Sequence, residues 1–231
     1  MNVTVCRFHV SAARPEDFPR DGFPEIAFMG RSNVGKSSLL NRLLGTHGLA
    51  RTSKTPGRTR AINFFCVNDR LYFVDLPGYG YARVPEPMRR QWKGLVEAYL
   101  EDPGRLDLAI QLVDARHDPT DLDLELTGWL RSRGLAHRVV FTKADKLSGN
   151  QRARALERGA RALGLPPGDR PLFVSAVTGD GLPALWRAID DACTAHRTNV
   201  LHDPPPAGGG VLKVNRAERG NGPVRLERQT Q

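Results

Sequence analysis

Short, nearly continuous apolar runs alternate along the chain with segments whose apolar residues recur every third or fourth position. EIAFM (25–29) predicts a short buried strand, and SLLNRLLG (38–45) the helix that follows it. Residues 46–60 read as a long polar loop. AINFFCV (61–67) and RLYFVD (70–75) predict two strands joined at Asn68-Asp69, a hairpin turn signal. After a loop at 77–87, residues 88–102 show helical spacing, with Trp92, Leu95, Val96 and Leu100 on one face. LDLAIQLVDA (106–115), HRVVFTKAD (137–145) and RPLFVSA (170–176) read as buried strands, the second with its following turn. Helices are expected over 121–133, 149–164 and 181–197. This alternation predicts an α/β fold in three layers: a mostly parallel six-stranded sheet, one antiparallel edge strand from the hairpin, and helices on both faces. Trp92, Trp129 and Trp186 fall at core-compatible positions and are assigned to packing.

The expected domain covers residues 24–197, preceded by an extension over 1–23. From about residue 198 the pattern stops. Three successive prolines, three successive glycines and few large apolar residues predict a disordered basic tail over 198–231. No apolar run approaches the roughly 18 residues that span a bilayer, and the N-terminus lacks the apolar core of a secretory signal. Cys6, Cys66 and Cys193 are widely spaced and match no metal-ligand pattern, which points to reduced thiols in a cytoplasmic protein. The absence of a coiled coil or a surplus apolar face points to a monomer. A net charge of +9 favours a polyanionic partner.

The strongest chemical signal is GRSNVGKSS (30–38). Gly30, four residues, then Gly35-Lys36-Ser37 fits the phosphate-binding P-loop, G-x-x-x-x-G-K-[ST]. The chain must wrap a phosphate with its N–H groups turned inward, which side chains at the glycines would obstruct. The helix that follows points its positive end at the same anion. Lys36 would reach the β- and γ-phosphates, and the Ser37 hydroxyl would ligate Mg²⁺. The pattern arises by chance in about 1% of chains of this length, and here a strand precedes it and a helix follows.

Four further stretches bear on the base and the metal. DLPG (75–78) ends a strand: Asp75 would hold Mg²⁺ through a water, and the Gly78 N–H would meet the γ-phosphate. TKAD (142–145) ends another. Asp145 would accept from guanine N1–H and the N2 amino group, whereas adenine would leave that carboxylate unpaired. The stem of Lys143 would lie along the base. Ser175-Ala176 would offer a backbone N–H to guanine O6. Thr59, in the polar loop, would complete the Mg²⁺ shell. Each motif is weak alone, but together, in this order and at the C-terminal ends of strands, they converge on one crevice.

These residues resemble the translation-factor class of P-loop GTPases, and within it the EngB family of ribosome-biogenesis GTP-binding proteins. The likeness is carried by GRSNVGKSSLLN, ARTSKTPGRTRAINFF, VDLPGYGYA, VDARHDPTDLD, FTKADKL and FVSA, over roughly residues 5–197. It implies a GTPase that assists assembly of the large ribosomal subunit. It also implies nucleotide contacts in five groups. The first is Gly30, Arg31, Ser32, Asn33, Val34, Gly35, Lys36 and Ser37; the second is Gly57, Arg58, Thr59, Arg60 and Ala61. The third is Asp75, Leu76, Pro77 and Gly78, the fourth Thr142, Lys143, Ala144 and Asp145, and the fifth Val174, Ser175 and Ala176. Lys36, Thr59 and Gly78 would act on the phosphates, with Mg²⁺ on Ser37 and Thr59. Thr142 stands where GTPases generally have asparagine; its hydroxyl would still tie this loop to the P-loop.

Many GTPases place a water-orienting glutamine directly after DxxG; here the residue is Tyr79, so slow intrinsic hydrolysis is expected, stimulated by a partner. Asn33 raises the expectation of K⁺ as an additional charge stabiliser. Arg51, Lys54, Arg58 and Arg60 fall in the first switch loop and would present positive charge to ribosomal RNA when GTP orders it. Arg152, Arg154, Arg158 and Arg161, on the 149–164 helix, read chiefly as a solvated face. His117 reads as a loop hydrogen-bonding residue. A nucleotide-regulated RNA- or ribosome-binding module with incidental hydrolysis is the alternative; an ATP-dependent kinase is disfavoured by TKAD.

Overall fold

A computed structural model describes residues 3–46, 48–50, 61–78 and 86–202, with side chains described to 198 and not at 86–92. Seven strands form one sheet. They are β1 (Cys6–Ala12), β2 (Glu25–Gly30), β3 (Ile62–Val67), β4 (Leu71–Asp75), β5 (Leu106–Asp114), β6 (His137–Thr142) and β7 (Leu172–Phe173), in the order β1-β3-β4-β2-β5-β6-β7. The helices are α1 (Lys36–Leu44), α2 (Glu86–Leu100), α3 (Asp121–Ser132), α4 (Gly149–Ala162) and α5 (Leu182–His202).

β2 pairs in parallel with β4 and β5, and the parallel run continues through β6 to β7. β3 runs against both β4 and β1. The sheet thus has one strand more than the apolar pattern predicts, and β1 lies outside the antiparallel strand. CRFHVSA escapes the pattern because an edge strand is half wet: Arg7, Phe8 and His9 are exposed, and only Ala12 is buried. The 1–23 segment therefore supplies an edge strand to the sheet. The β3–β4 hairpin turns where expected, with Asn68 and Asp69 both at positive φ (52° and 51°), as a type I′ turn requires. β7 is only two residues long, α1 begins two residues earlier than its apolar spacing indicates, and α5 runs on to His202, past the expected end at 197.

Central strands are apolar without alternation because both faces are covered. Ile26 and Phe28 of β2 pack toward Leu39, Leu40, Leu185 and Ile189 of α1 and α5. Ala27 and Met29 face Leu95, Tyr99 and Leu130 of α2 and α3. Trp186 packs on Phe73 and Trp129 borders the second cluster, so both serve packing as expected; the Trp92 side chain lies outside the described residues. α4 packs so closely on β6 that a Cβ at Gly159 would lie 2.3 Å from Phe141 Cζ. α3 and α4 each begin with a reciprocal cap, Thr120 with Asp123 and Ser148 with Gln151.

At the N-terminal ends of the parallel strands lies a buried polar cluster. Arg105 donates to Glu25 (2.7 Å), Asp102 (2.7 Å) and the Pro19 carbonyl (3.1 Å). Tyr99 bears on Glu25 electrostatically, yet neither its hydroxyl nor Glu25 Oε2 completes a hydrogen bond of ordinary geometry. Asp107 accepts from the Glu25 N–H (2.8 Å) and pairs with His196 Nδ1 (2.7 Å). His196 Nε2 reaches the Gly22 carbonyl (3.1 Å), tying α5 to this end of the sheet.

Candidate functional site

The opposite, C-terminal ends of β2, β4, β5 and β6 and the loop after β7 bring the predicted motifs together. β2 ends in Gly30 and the chain turns at once, the Val34 N–H donating to the Arg31 carbonyl at 3.2 Å. Asn33 and Gly35 take positive φ, 62° and 106°. At 106° a side chain is strained, so this glycine permits the last turn before α1 opens at Lys36. A Cβ on Gly30 would lie 2.9 Å from the Leu112 carbonyl oxygen and from Val34 Cγ1. The loop is thus a tight backbone cradle at a helix N-terminus, an arrangement suited to anions.

Lys36 and Asp75 form an ion pair in which the two side chains are only 11% and 7% exposed. These opposed charges are the ones that a phosphate and a divalent cation would each engage. Asp75 ends β4, and the next N–H, of Leu76, donates to the Phe28 carbonyl (3.1 Å). Gly78 presses on the P-loop: a Cβ there would sit 3.4 Å from the Gly30 carbonyl oxygen and the Ser32 nitrogen. The donor set suits Mg²⁺. Ser37, in the first turn of α1, and Asp75 offer hard oxygens, and among the described residues no cluster of three or more His, Cys, Asp or Glu could hold a metal alone. A metal that keeps waters and takes its remaining ligands from phosphates fits so sparse a set.

On the other side of the P-loop, Thr142 Oγ1 donates to the Val34 carbonyl (2.6 Å), with the Val113 carbonyl at 3.3 Å. This is the tie expected of the hydroxyl. Lys143, at φ 58°, donates from Nζ to the Asn33 carbonyl (2.8 Å) and to Asp114 Oδ2 (2.7 Å). The Ala144 N–H donates to the Val174 carbonyl (3.2 Å), and the Ser175 hydroxyl donates to Asp145 Oδ1 (2.7 Å). The Ser175 hydroxyl, aided by nearby Lys146, lowers the Asp145 pKa, keeping it an ionised acceptor at neutral pH.

Asp114, at the end of β5, was not among the predicted site residues. Its carboxylate takes two bonds from the Arg116 guanidinium (2.8 and 3.0 Å) as well as the Lys143 bond. Burial alone would raise its pKa, but these bonds outweigh it and hold the carboxyl well below the usual range. The same strand-end rule that selects Asp75 and Asp145 could have found it. His117 donates its backbone N–H to the Asp114 carbonyl (3.2 Å). With Arg31, Ser32, Asn33 and Lys143, His117 lines a polar cleft beside the P-loop.

The first, third, fourth and fifth predicted groups, Gly30 to Ser37, Asp75 to Gly78, Thr142 to Asp145 and Val174 to Ala176, therefore meet at one end of the sheet. Of the second group only Ala61, just before β3, is described. Gly57, Arg58, Thr59 and Arg60 lie outside the described residues, as do Arg51, Lys54 and Tyr79.

A family profile described as "50S ribosome-binding GTPase" matches residues 25–143. A protein of Geobacter sulfurreducens named "Probable GTP-binding protein EngB" is 47% identical over 190 residues, 82% of this chain and 92% of its own. One of the same name from Syntrophus aciditrophicus is 49% identical over 83% of this chain and 97% of its own. Among solved structures, that of a probable GTP-binding protein EngB superposes with a TM-score of 0.62 at 26% identity, covering 74% of this chain and 99% of the other. With a P-loop and the Thr142–Asp145 loop meeting at one end of the sheet, and relatives this similar over nearly their whole length, the chain belongs to the EngB family of GTP-binding proteins, a GTPase family with GTP and GDP as ligands.

Proposed function

We propose that the protein is a GTP-dependent switch that assists assembly of the large ribosomal subunit, hydrolysing GTP slowly until a partner accelerates it. The observation that supports the reading is the bonded unit of P-loop, Thr142-Lys143 and Asp145–Ser175, which would set a guanine reader beside a phosphate cradle. In this reading Asp145 takes the N1–H and N2 amino protons of guanine, and the Ser175-Ala176 turn faces O6. Lys36 leaves Asp75 for the phosphates, and the Gly78 N–H meets the γ-phosphate. Mg²⁺ bound at Ser37, Thr59 and, through water, Asp75 would neutralise phosphate charge. Tyr79 cannot orient a water as glutamine does, which is the reason for proposing a stimulating partner. Potassium near Asn33 is part of the proposal; equal turnover in sodium and potassium buffers removes it.

Charge supports a polyanionic partner. Residues 51–60 carry four Lys/Arg and no acid, and 79–92 carry three against one. Residues 203–231 carry five against three. The rest of the chain has 22 basic against 21 acidic residues, so nearly all of the +9 lies in these three segments. On α4, Arg158 faces Asp118 (3.1 Å), Arg161 faces Glu157 (3.5 Å) and Arg152 faces Asp180 (2.5 Å), which argues against that helix as an RNA footprint. The name of the matching family profile, "50S ribosome-binding GTPase", agrees with the partner proposed.

The test is co-sedimentation with purified ribosomal subunits, comparing a non-hydrolysable GTP analogue, GDP and no nucleotide. Pelleting with the large subunit chiefly in the GTP-like state is expected; nucleotide-independent pelleting sinks the switch. Tyr79 keeps one other reading alive, a nucleotide-regulated binding module with incidental hydrolysis. Turnover unchanged by subunits, alongside tight nucleotide-dependent binding, would favour it.

A further inference from the structure

We propose that Arg152 is a positioning residue for guanine recognition, clamping from behind the two loops that read the base; the inference rests on the reading of Asp145 and Ser175 given above. Arg152 lies in the first turns of α4, its backbone N–H donating to the Ser148 carbonyl at 2.9 Å. The reciprocal cap of Ser148 and Gln151 fixes this end of the helix. The guanidinium divides its donors between the two loops. Nε and Nη2 both donate to the Ala144 carbonyl (3.1 and 2.9 Å), and Nη1 donates to the Asp180 carboxylate (2.5 Å). Ala144 directly precedes Asp145. Asp180 returns the connection: its backbone carbonyl accepts the Ser175 N–H (2.9 Å), and the Ser175 hydroxyl donates to Asp145 (2.7 Å). A closed ring results, from Arg152 through Ala144 and Asp145 to Ser175, Asp180 and back.

The ring sits where guanine selection makes its demand. One carboxylate must meet N1–H and the N2 amino group while an N–H of the neighbouring loop meets O6. The spacing of the two loops therefore decides whether all three bonds form together, and such constellations tolerate only small displacements. The planar fork can hold a carbonyl and a carboxylate at once, which a lysine ammonium does with less geometric definition. Arg152 is about one-third and Asp180 about one-half exposed (32% and 47%), so the pair adds little to folding. Its effect belongs in base selectivity rather than stability. Among the described residues, Arg158 and Arg161 of the same helix pair with Asp118 and Glu157 and have no such role.

The experiment measures GDP and inosine diphosphate affinities calorimetrically on the full chain, with the thermal midpoint of each variant. Inosine diphosphate lacks the N2 amino group, so the affinity ratio reports the Asp145 contact. Arg152→Ala is expected to lower the GDP-to-inosine-diphosphate ratio by about 3–10-fold with a nearly unchanged midpoint, as loss of roughly one well-placed hydrogen bond would. Arg152→Lys should fall between the two. Should Arg152→Ala not fold, Arg152→Lys and Asp180→Asn carry the same comparison. Equal loss of both affinities, or no loss, overturns the role of Arg152. Asp145→Asn separates the premises: a ratio that it leaves unmoved overturns the base reading itself, whereas a ratio that it collapses while Arg152→Ala does not overturns only the clamp.

Discussion

Thr142 shows how much rests on a single hydroxyl. It is buried, and its bond to the Val34 carbonyl joins the loop proposed to read the base to the P-loop. Thr142→Val keeps the shape and removes the donor, leaving a buried carbonyl unpaired at a cost of about 1–2 kcal/mol. GDP should dissociate about 5–30-fold faster, 1.4 kcal/mol being a tenfold change; stopped-flow release of a fluorescent GDP measures it, and an unchanged rate would dismiss the coupling. Gly159 is a residue of the opposite kind, important for what it lacks. Gly159→Ala drives a methyl group into Phe141, itself held edge-on against Phe173 with centroids 5.3 Å apart. A loss of about 1–3 kcal/mol in denaturant unfolding is expected. The glycine of a helix reading RARALERGARALG is visible in the sequence; the ring that it must accommodate is not.

At the scale of elements, the cluster joining β2, α2 and β5 is sensitive to pH. Burial pushes the Glu25 carboxyl up from its ordinary 4.5 to about 7, against the pull of Arg105 and Tyr99. An acid whose pKa is higher folded than unfolded binds extra protons in the folded state, so its contribution to stability falls as pH rises from about 4.5 to 7. Burial displaces His137 downward, which acts in the reverse sense, stability rising with pH through the histidine range. Comparing Glu25→Gln with the parent cancels the histidine. The variant should gain on the parent progressively between pH 5 and 8, by on the order of 1 kcal/mol or more; parallel stability curves would refute the assignment.

The same elements show what could be read beforehand. Six strands were legible because their apolar residues run on without interruption, in the central strands through burial on both faces. β1 was not, because an edge strand wet on one side mixes Arg7 and His9 with its apolar residues. The glycine-rich turn after β2 and the carboxylates Asp75 and Asp145 stood out in the sequence, whereas Asp114, equally at a strand end, did not. The role of Arg152 was not legible, because its partner is a main-chain carbonyl eight residues away that no sequence pattern marks. Arg152 looks like its neighbours Arg154 and Arg158 until the Ala144 carbonyl is placed beside it.

For the molecule as a whole, charge is divided unevenly between a neutral body and three basic segments. If ribosomal RNA is the partner, as proposed, replacing Arg51, Lys54, Arg58 and Arg60 with alanine should reduce the dependence of log affinity for it on log salt by up to about 3–4, each phosphate that is no longer neutralised accounting for roughly 0.7–0.9. Ending the chain at His202 removes a net charge of only two and should change that slope less. Filter-binding titrations over a salt series measure both, and equal slopes in all three proteins would place the RNA-binding surface elsewhere.

α5 runs from the loop of the base reader to the far end of the sheet, where His196 fastens it to Asp107 and Gly22. Its 21 residues span about 30 Å at 1.5 Å each. The backbone of His202 therefore lies roughly 30 Å along the helix from Leu182, at the end of the sheet away from the crevice. A chain shortened to end at His202 and immobilised there would present its nucleotide loops outward to particles in the flow. A dye placed there stands at a distance from a fluorescent nucleotide suited to energy transfer rather than contact quenching, so the helix provides a built-in ruler for following nucleotide arrival without touching the loops.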